Sequence, residues 1–193
     1  MKRANISLPV TALILAALAI PAAAQTQPGS VNMTLSGTSA RSTIDLGAGA
    51  PTAEYSLTGD GTLGAFSFRT VSTGAASPQQ SSACSGSNKL YFPTTAGGGV
   101  FRSQDGSLLT VNLTGGDDCI DLSTGQARCT RMFQITGGTG RFRGATGALK
   151  LTMTDAIALA DPNLNPVLIT ATGQITGPIS GVGMGQGPQD VQQ

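Results

Sequence analysis

The chain has 193 residues, with 11 Lys and Arg against 10 Asp and Glu, and it contains no histidine. A formal charge of +1 without a basic run excludes the counterion-displacing surface of a nucleic-acid binder. The missing histidine excludes Ser-His and Cys-His nucleophiles, most zinc sites and the usual proton shuttle, so no catalytic residue, metal or cofactor is assigned from the sequence.

At the start, Lys2 and Arg3 precede an apolar stretch from Ile6 to Ile20, and Ala22, Ala23 and Ala24 supply the small residues of a cleavage site. Residues 1–24 therefore read as a secretory signal cleaved after Ala24, which places the protein outside the cytoplasm, secreted or periplasmic. Pro9 and Pro21 argue against a spanning helix in the same stretch. Residues 25–30 are expected to be a flexible lead-in.

From residue 31 the chain alternates with period two. Val31, Met33 and Leu35 oppose Asn32, Thr34 and Ser36, Tyr55 and Leu57 oppose Glu54, Ser56 and Thr58, and Phe66 and Phe68 oppose Ser67 and Arg69. Leu109, Val111 and Leu113, then Leu149, Leu151 and Met153, repeat the pattern. Half-buried strands account for it, and the Ser, Thr and Gly content disfavours helix. Turn signals fall at Gly59–Gly61, Asp105–Gly106, Thr114–Gly116, and Asp161–Pro166. Residues 74–87 lack periodicity and read as a long loop. Short, evenly spaced strands fit either a sandwich or a barrel.

Cys119 and Cys129 flank Ser123, Thr124 and Gly125, which suit a three-residue hairpin loop with Gly125 left-handed. That register pairs Leu122 with Gln126 and sets Cys119 opposite Cys129, leaving Cys84 free. Bridges from Cys84 to Cys119 or to Cys129 carry equal weight together, and would tie down the long loop. A catalytic thiol at Cys84 would have no histidine to activate it. Asp117, Asp118 and Asp121 lack the spacing of a calcium loop and read as charges along an exposed hairpin edge.

Gly137, Gly138, Gly140, Gly144 and Gly147 punctuate the chain between two alternating segments, and their spacing matches neither a dinucleotide nor a P-loop fingerprint. They read as a structural turn and bulge. With Ile135 before it and Leu149–Leu151 after it, this turn resembles the end of the barrel in plant allene oxide cyclases and dirigent proteins, over about Phe133 to Ile175. Over a longer span, through Leu90–Pro93, Val100–Arg102 and Asp118–Leu122, the chain resembles bacterial secreted proteins of unknown function. The resemblance implies an all-β fold, an antiparallel closed β-barrel of about eight strands over residues 31–179, followed by a disordered Gly- and Pro-rich tail at 180–193.

The resemblance does not carry the family's chemistry. Dirigent proteins have an Asp after the last glycine of Gly-Gly-Thr-Gly and an Arg further along, where this chain has Arg141 and Thr146. Allene oxide cyclases use a Glu near the start of the barrel, and the single Glu here, Glu54, is on the polar side of its strand. Arg131 shares a face with Phe133 and Ile135, and Asp155 shares one with Leu151 and Met153. The two either form a buried pair or sit where strand ends meet water.

These observations leave a non-catalytic module that holds a hydrophobic small molecule in an under-filled interior. Its lining would be Tyr55, Phe66, Phe68, Val111, Phe133 and Leu151, with Arg131 and Asp155. A cyclase- or dirigent-like enzyme that shapes a reactive intermediate is the alternative, and requires Arg131, Asp155, Glu54 or Tyr55 to converge on a pocket. A structural surface protein is a third. An outer-membrane barrel is disfavoured by the Thr, Ser and Asn of the outward face, and no nucleic acid or integral membrane partner is expected.

Overall fold

The computed structural model describes residues 29–47, 50, 52–156 and 169–183. The signal expected at residues 1–24, the turn expected at Asp161–Pro166 and most of the expected C-terminal tail lie outside them. Eight strands, β1 (Gly29–Ser42), β2 (Thr52–Gly61), β3 (Phe66–Gly74), β4 (Lys89–Ser103), β5 (Leu108–Asp121), β6 (Gln126–Gly138), β7 (Thr146–Ala156) and β8 (Ile169–Ser180), pair in sequence order. Every pairing is antiparallel, and β8 returns to β1, so the sheet is a closed barrel. β1 begins at Gly29, inside the stretch expected to be a flexible lead-in.

Alternation makes the barrel. Val31, Met33 and Leu35 point inward from β1, Leu57 from β2, and Leu149, Leu151 and Met153 from β7. Closure leaves no unpaired strand edge, so the backbone groups of every strand are used. The middle of the barrel is filled. Phe68 stacks on Phe101 with ring centroids 3.8 Å apart, and Phe133 meets Phe68 edge-on at 5.8 Å. Phe66, Val111 and Leu151 are buried in the same core. The expectation of an under-filled centre is therefore corrected: five of the six Phe pack in the core, and Gly99 lets the Phe68 ring lie against the β4 backbone.

One end of the barrel is closed by the glycine turn. β6 runs to Gly138, and a 3-10 turn at Gly140–Phe142 folds Phe142 into the core, 1% exposed. Gly140 takes φ +56° against the side chain of Ser107, a conformation and an approach that a Cβ would forbid. The Arg141 guanidinium lies 4.7 Å from the Phe142 ring centroid and donates to the Leu63 carbonyl and the Ser103 hydroxyl. The turn is thus a plug.

Thr114–Gly116 is not a turn. β5 continues through it, with an irregularity in register between Leu113 and Gly115. A Cβ at Gly116 would collide with the Thr130 carbonyl, so the local glycines mark a bulge inside a strand. The extra residue reverses which side chains face inward. Leu109 and Val111 point into the barrel before the bulge, and Asp118 and Ile120 do so after it. Gly59–Gly61 likewise belongs to β2, with the turn falling at residues 62–64.

The hairpin between β5 and β6 has a four-residue loop, Leu122–Gly125, and Asp121 pairs with Gln126. Gly125 is left-handed, φ +65°, as the sequence suggests. Asp121 organises the loop: its carboxylate accepts from the Ser123 amide at 2.9 Å and from the Ser123 hydroxyl, and its carbonyl accepts from the Gly125 amide at 3.0 Å. The shift of one residue sets Cys119 opposite Arg128, and not opposite Cys129. Cys119 points outward and is bridged to Cys84, with Cα atoms 5.5 Å apart, while Cys129 is a buried free thiol. The long-range bridge pins a 3-10 turn at Ser82–Cys84 within the 74–87 segment.

Candidate functional site

The end opposite the Phe142 plug is open. A cavity of about 290 Å³ lies there, lined by Ser39, Ala40 and Arg41 of β1, Thr52, Ala53 and Tyr55 of β2, Asp118 and Ile120 of β5, Ala127 and Cys129 of β6, and Asp155 of β7. Small residues make it. Ala53 and Ala127 occupy inward-facing positions of their strands, where Leu or Phe stands deeper in the barrel.

Asp155 is 4% exposed. Its Oδ2 accepts from the Tyr55 hydroxyl at 3.3 Å and from the Cys129 thiol at 3.5 Å, while its Oδ1 has no hydrogen-bond partner. Burial pushes its pKa above the ordinary value, and the nearby Asp118 carboxylate adds to the effect against the opposing Tyr55 and Cys129 hydrogen bonds. Burial also raises Tyr55 and Cys129, which both keep their protons at neutral pH. Two donors already fill Oδ2. Oδ1 is the oxygen of this carboxyl left free for a further hydrogen bond. The Thr52 hydroxyl, buried in the same lining, is also without a partner.

Arg131 sits one layer deeper, 3% exposed, behind Asp118. Its Nη1 lies 2.8 Å from Asp118 Oδ1 and donates to the carbonyls of Asp117 and Thr130 at 3.0 Å each. Its Nη2 donates to Asp118 Oδ2 at 2.9 Å, and its Nε to the Ser72 hydroxyl at 3.4 Å. Burial works against the guanidinium charge, and Asp118 overcomes that cost and holds the pKa up.

Of the residues expected to surround a ligand, Tyr55 and Asp155 line the cavity. Arg131 is inside the barrel but pairs with Asp118, and does not pair with Asp155. Phe66, Phe68, Val111, Phe133 and Leu151 form the packed core and line none of it. Glu54 is on the outer surface. Asp118, read from the sequence as a solvated edge charge, is the correction with most consequence, because β5 lies between β4 and β6 and the bulge turns Asp118 inward. The glycine pair at Gly115–Gly116 was the available signal. The glycines Gly137, Gly138, Gly140, Gly144 and Gly147 belong to the closed end, across the barrel from the cavity. Among the described residues no group of three or more His, Cys, Asp or Glu is placed to hold a metal ion, and no helix is long and apolar enough to cross a membrane.

Fold and site define a closed eight-stranded antiparallel barrel with an acid-lined cavity at one mouth. No protein-family model matches the chain, and no curated protein matches it. Among solved structures it is similar to the pterocarpan synthase dirigent protein PsPTS1, with 12% identity, a TM-score of 0.42, and coverage of 83% of this chain and 99% of that one. It is also similar to the pterocarpan synthase dirigent protein GePTS1, with 11% identity, a TM-score of 0.38, and coverage of 86% and 91%. The strand pairing itself, and not these likenesses, establishes the architecture.

Proposed function

We propose that the barrel receives a small, largely apolar molecule at its open mouth and holds it against the buried Asp155 carboxyl, orienting a reactive intermediate in the manner of a dirigent or cyclase protein. The observation that carries this reading is the unpartnered Asp155 Oδ1, buried in the cavity lining with its other oxygen already occupied. A buried polar atom without a partner costs about 1–3 kcal/mol, which a ligand oxygen at that point would recover. Orientation in a dry, shaped space needs little acid–base machinery, so the lack of histidine is no obstacle. The Cys84–Cys119 bridge suits an oxidising compartment, in keeping with export directed by residues 1–24.

The test has two arms. In the first, amide shifts of labelled protein are followed on titration with the neutral probe 4-phenyl-2-butanone. Ala53, Ile120, Ala127 and Cys129 should respond while Leu109 and Phe142 at the far end stay still. In the second, a quinone methide that closes to a racemate in water is generated with the protein present. An enantiomeric excess that falls in Asp155→Leu supports the shaping role. Binding at the mouth with racemic product leaves the non-catalytic binding module, favoured by the filled apolar walls alone, and removes the shaping role.

A further inference from the structure

Two features of the mouth specify what it admits. The guanidinium beneath the cavity is held at every nitrogen: Asp118 pairs with both Nη groups, two backbone carbonyls accept from Nη1, and Ser72 accepts from Nε. Asp118 lines the cavity and Arg131 does not, so the carboxylate stands between an entering molecule and the positive charge. The buried polar atoms of lining residues that have no hydrogen-bond partner are the Asp155 Oδ1, the Thr52 hydroxyl and the Asp118 Oδ1, the last held in the ion pair with Arg131. Arg41 also belongs to the lining, but it is exposed at the rim, where water and salt weaken its pull on an anion.

Resting on the mouth-binding reading above, we propose that the cavity selects an uncharged molecule and turns carboxylates of the same shape away, and that Asp118 is the residue that sets this specificity. An entering carboxylate would face the Asp118 carboxylate, losing its hydration without gaining a free cation. An uncharged ketone of the same shape gives up less hydration. The arrangement amounts to a carboxylate site already occupied by a side chain of the protein. Removing that side chain should expose the guanidinium and reverse the preference.

The experiment compares 4-phenyl-2-butanone with 3-phenylpropanoate, which match in shape and differ in charge, by titration calorimetry and by amide shifts at the mouth. The parent protein should bind the ketone at least about tenfold more tightly, a difference that desolvating an unpaired charge supports. Asp118→Asn should invert the ratio, bringing in the carboxylate, and Arg102→Gln, on the outer face of β4 away from the mouth, should leave the parent's ratio in place. Should Asp118→Asn fail to fold, Asp118→Leu combined with Arg131→Met removes both charges, and there the ketone preference should persist. Equal or tighter binding of 3-phenylpropanoate by the parent overturns the inference while leaving a ligand site at the mouth. Carboxylate binding that the double replacement weakens also overturns it, since Arg131 would then have been open to anions. If neither probe perturbs the mouth, the mouth-binding reading fails and this inference fails with it.

Discussion

Replacing Cys84 and Cys119 together by Ser should remove about 4 kcal/mol of stability. The bridge spans 35 residues of sequence. The chain-entropy relation gives about 3 kcal/mol for a 15-residue loop and about 4.7 for a 100-residue loop, so a loop of this length falls near 4. The closed segment contains all of β4 and most of β5, two strands that must find each other before the barrel can close. For a chain of this size, such a loss lowers Tm by roughly 8–16 °C. The assay is equilibrium urea unfolding of the double variant and of its parent under non-reducing conditions, with a thiol count on the folded and unfolded parent. One thiol, Cys129, should react, and only after unfolding, because it is buried. A double variant within about 1 kcal/mol of the parent would refute the loop argument. Reaction of Cys84 or Cys119 in the oxidised parent would refute the pairing itself.

The buried acid and the closed end each give a further expectation. Asp155 has a folded pKa raised above its ordinary 3.8, so the native state holds its proton more tightly than the unfolded chain does. Its contribution is fully present below the unfolded value and is lost as pH rises through the folded one. The stability of the parent relative to Asp155→Asn should therefore fall from acid towards neutral pH, read by urea unfolding across pH 4–8. A relative stability that climbs with pH would contradict a raised pKa for the carboxyl that faces Tyr55, Cys129, Asp118, Arg131 and Arg41. The lowered acids, Asp105 and Asp121, are held down mainly by their hydrogen bonds to Ser107 and Ser123, and they cancel in the comparison because both proteins carry them. At the other end, Phe142→Ala should cost about 3–5 kcal/mol by leaving a cavity beneath Arg141. Amide shifts at the mouth with 4-phenyl-2-butanone should be unchanged in that variant. A large change there would mean that the two ends are coupled through the core.

The sequence alone marked the alternating runs of β1, β2, β3, β5 and β7, the inward face of β6 and the all-β character, because period-two alternation is a local property that a strand carries in its own residues, while β4 and β8 were not legible in this way. It also placed Tyr55 and Asp155 on inward faces, and it marked the left-handed Gly125. It left the long-range questions open. Whether Cys119 meets Cys84 or Cys129 turned on one residue of loop length, since a shift of one reverses the side to which every later side chain points. The same parity decided Asp118: a single extra residue between Leu113 and Gly115 carries it from the outer face to the mouth, where it closes over Arg131. Only the closed tertiary structure could fix these, because a bulge and a barrel end are defined by the neighbouring strand and not by the strand that contains them.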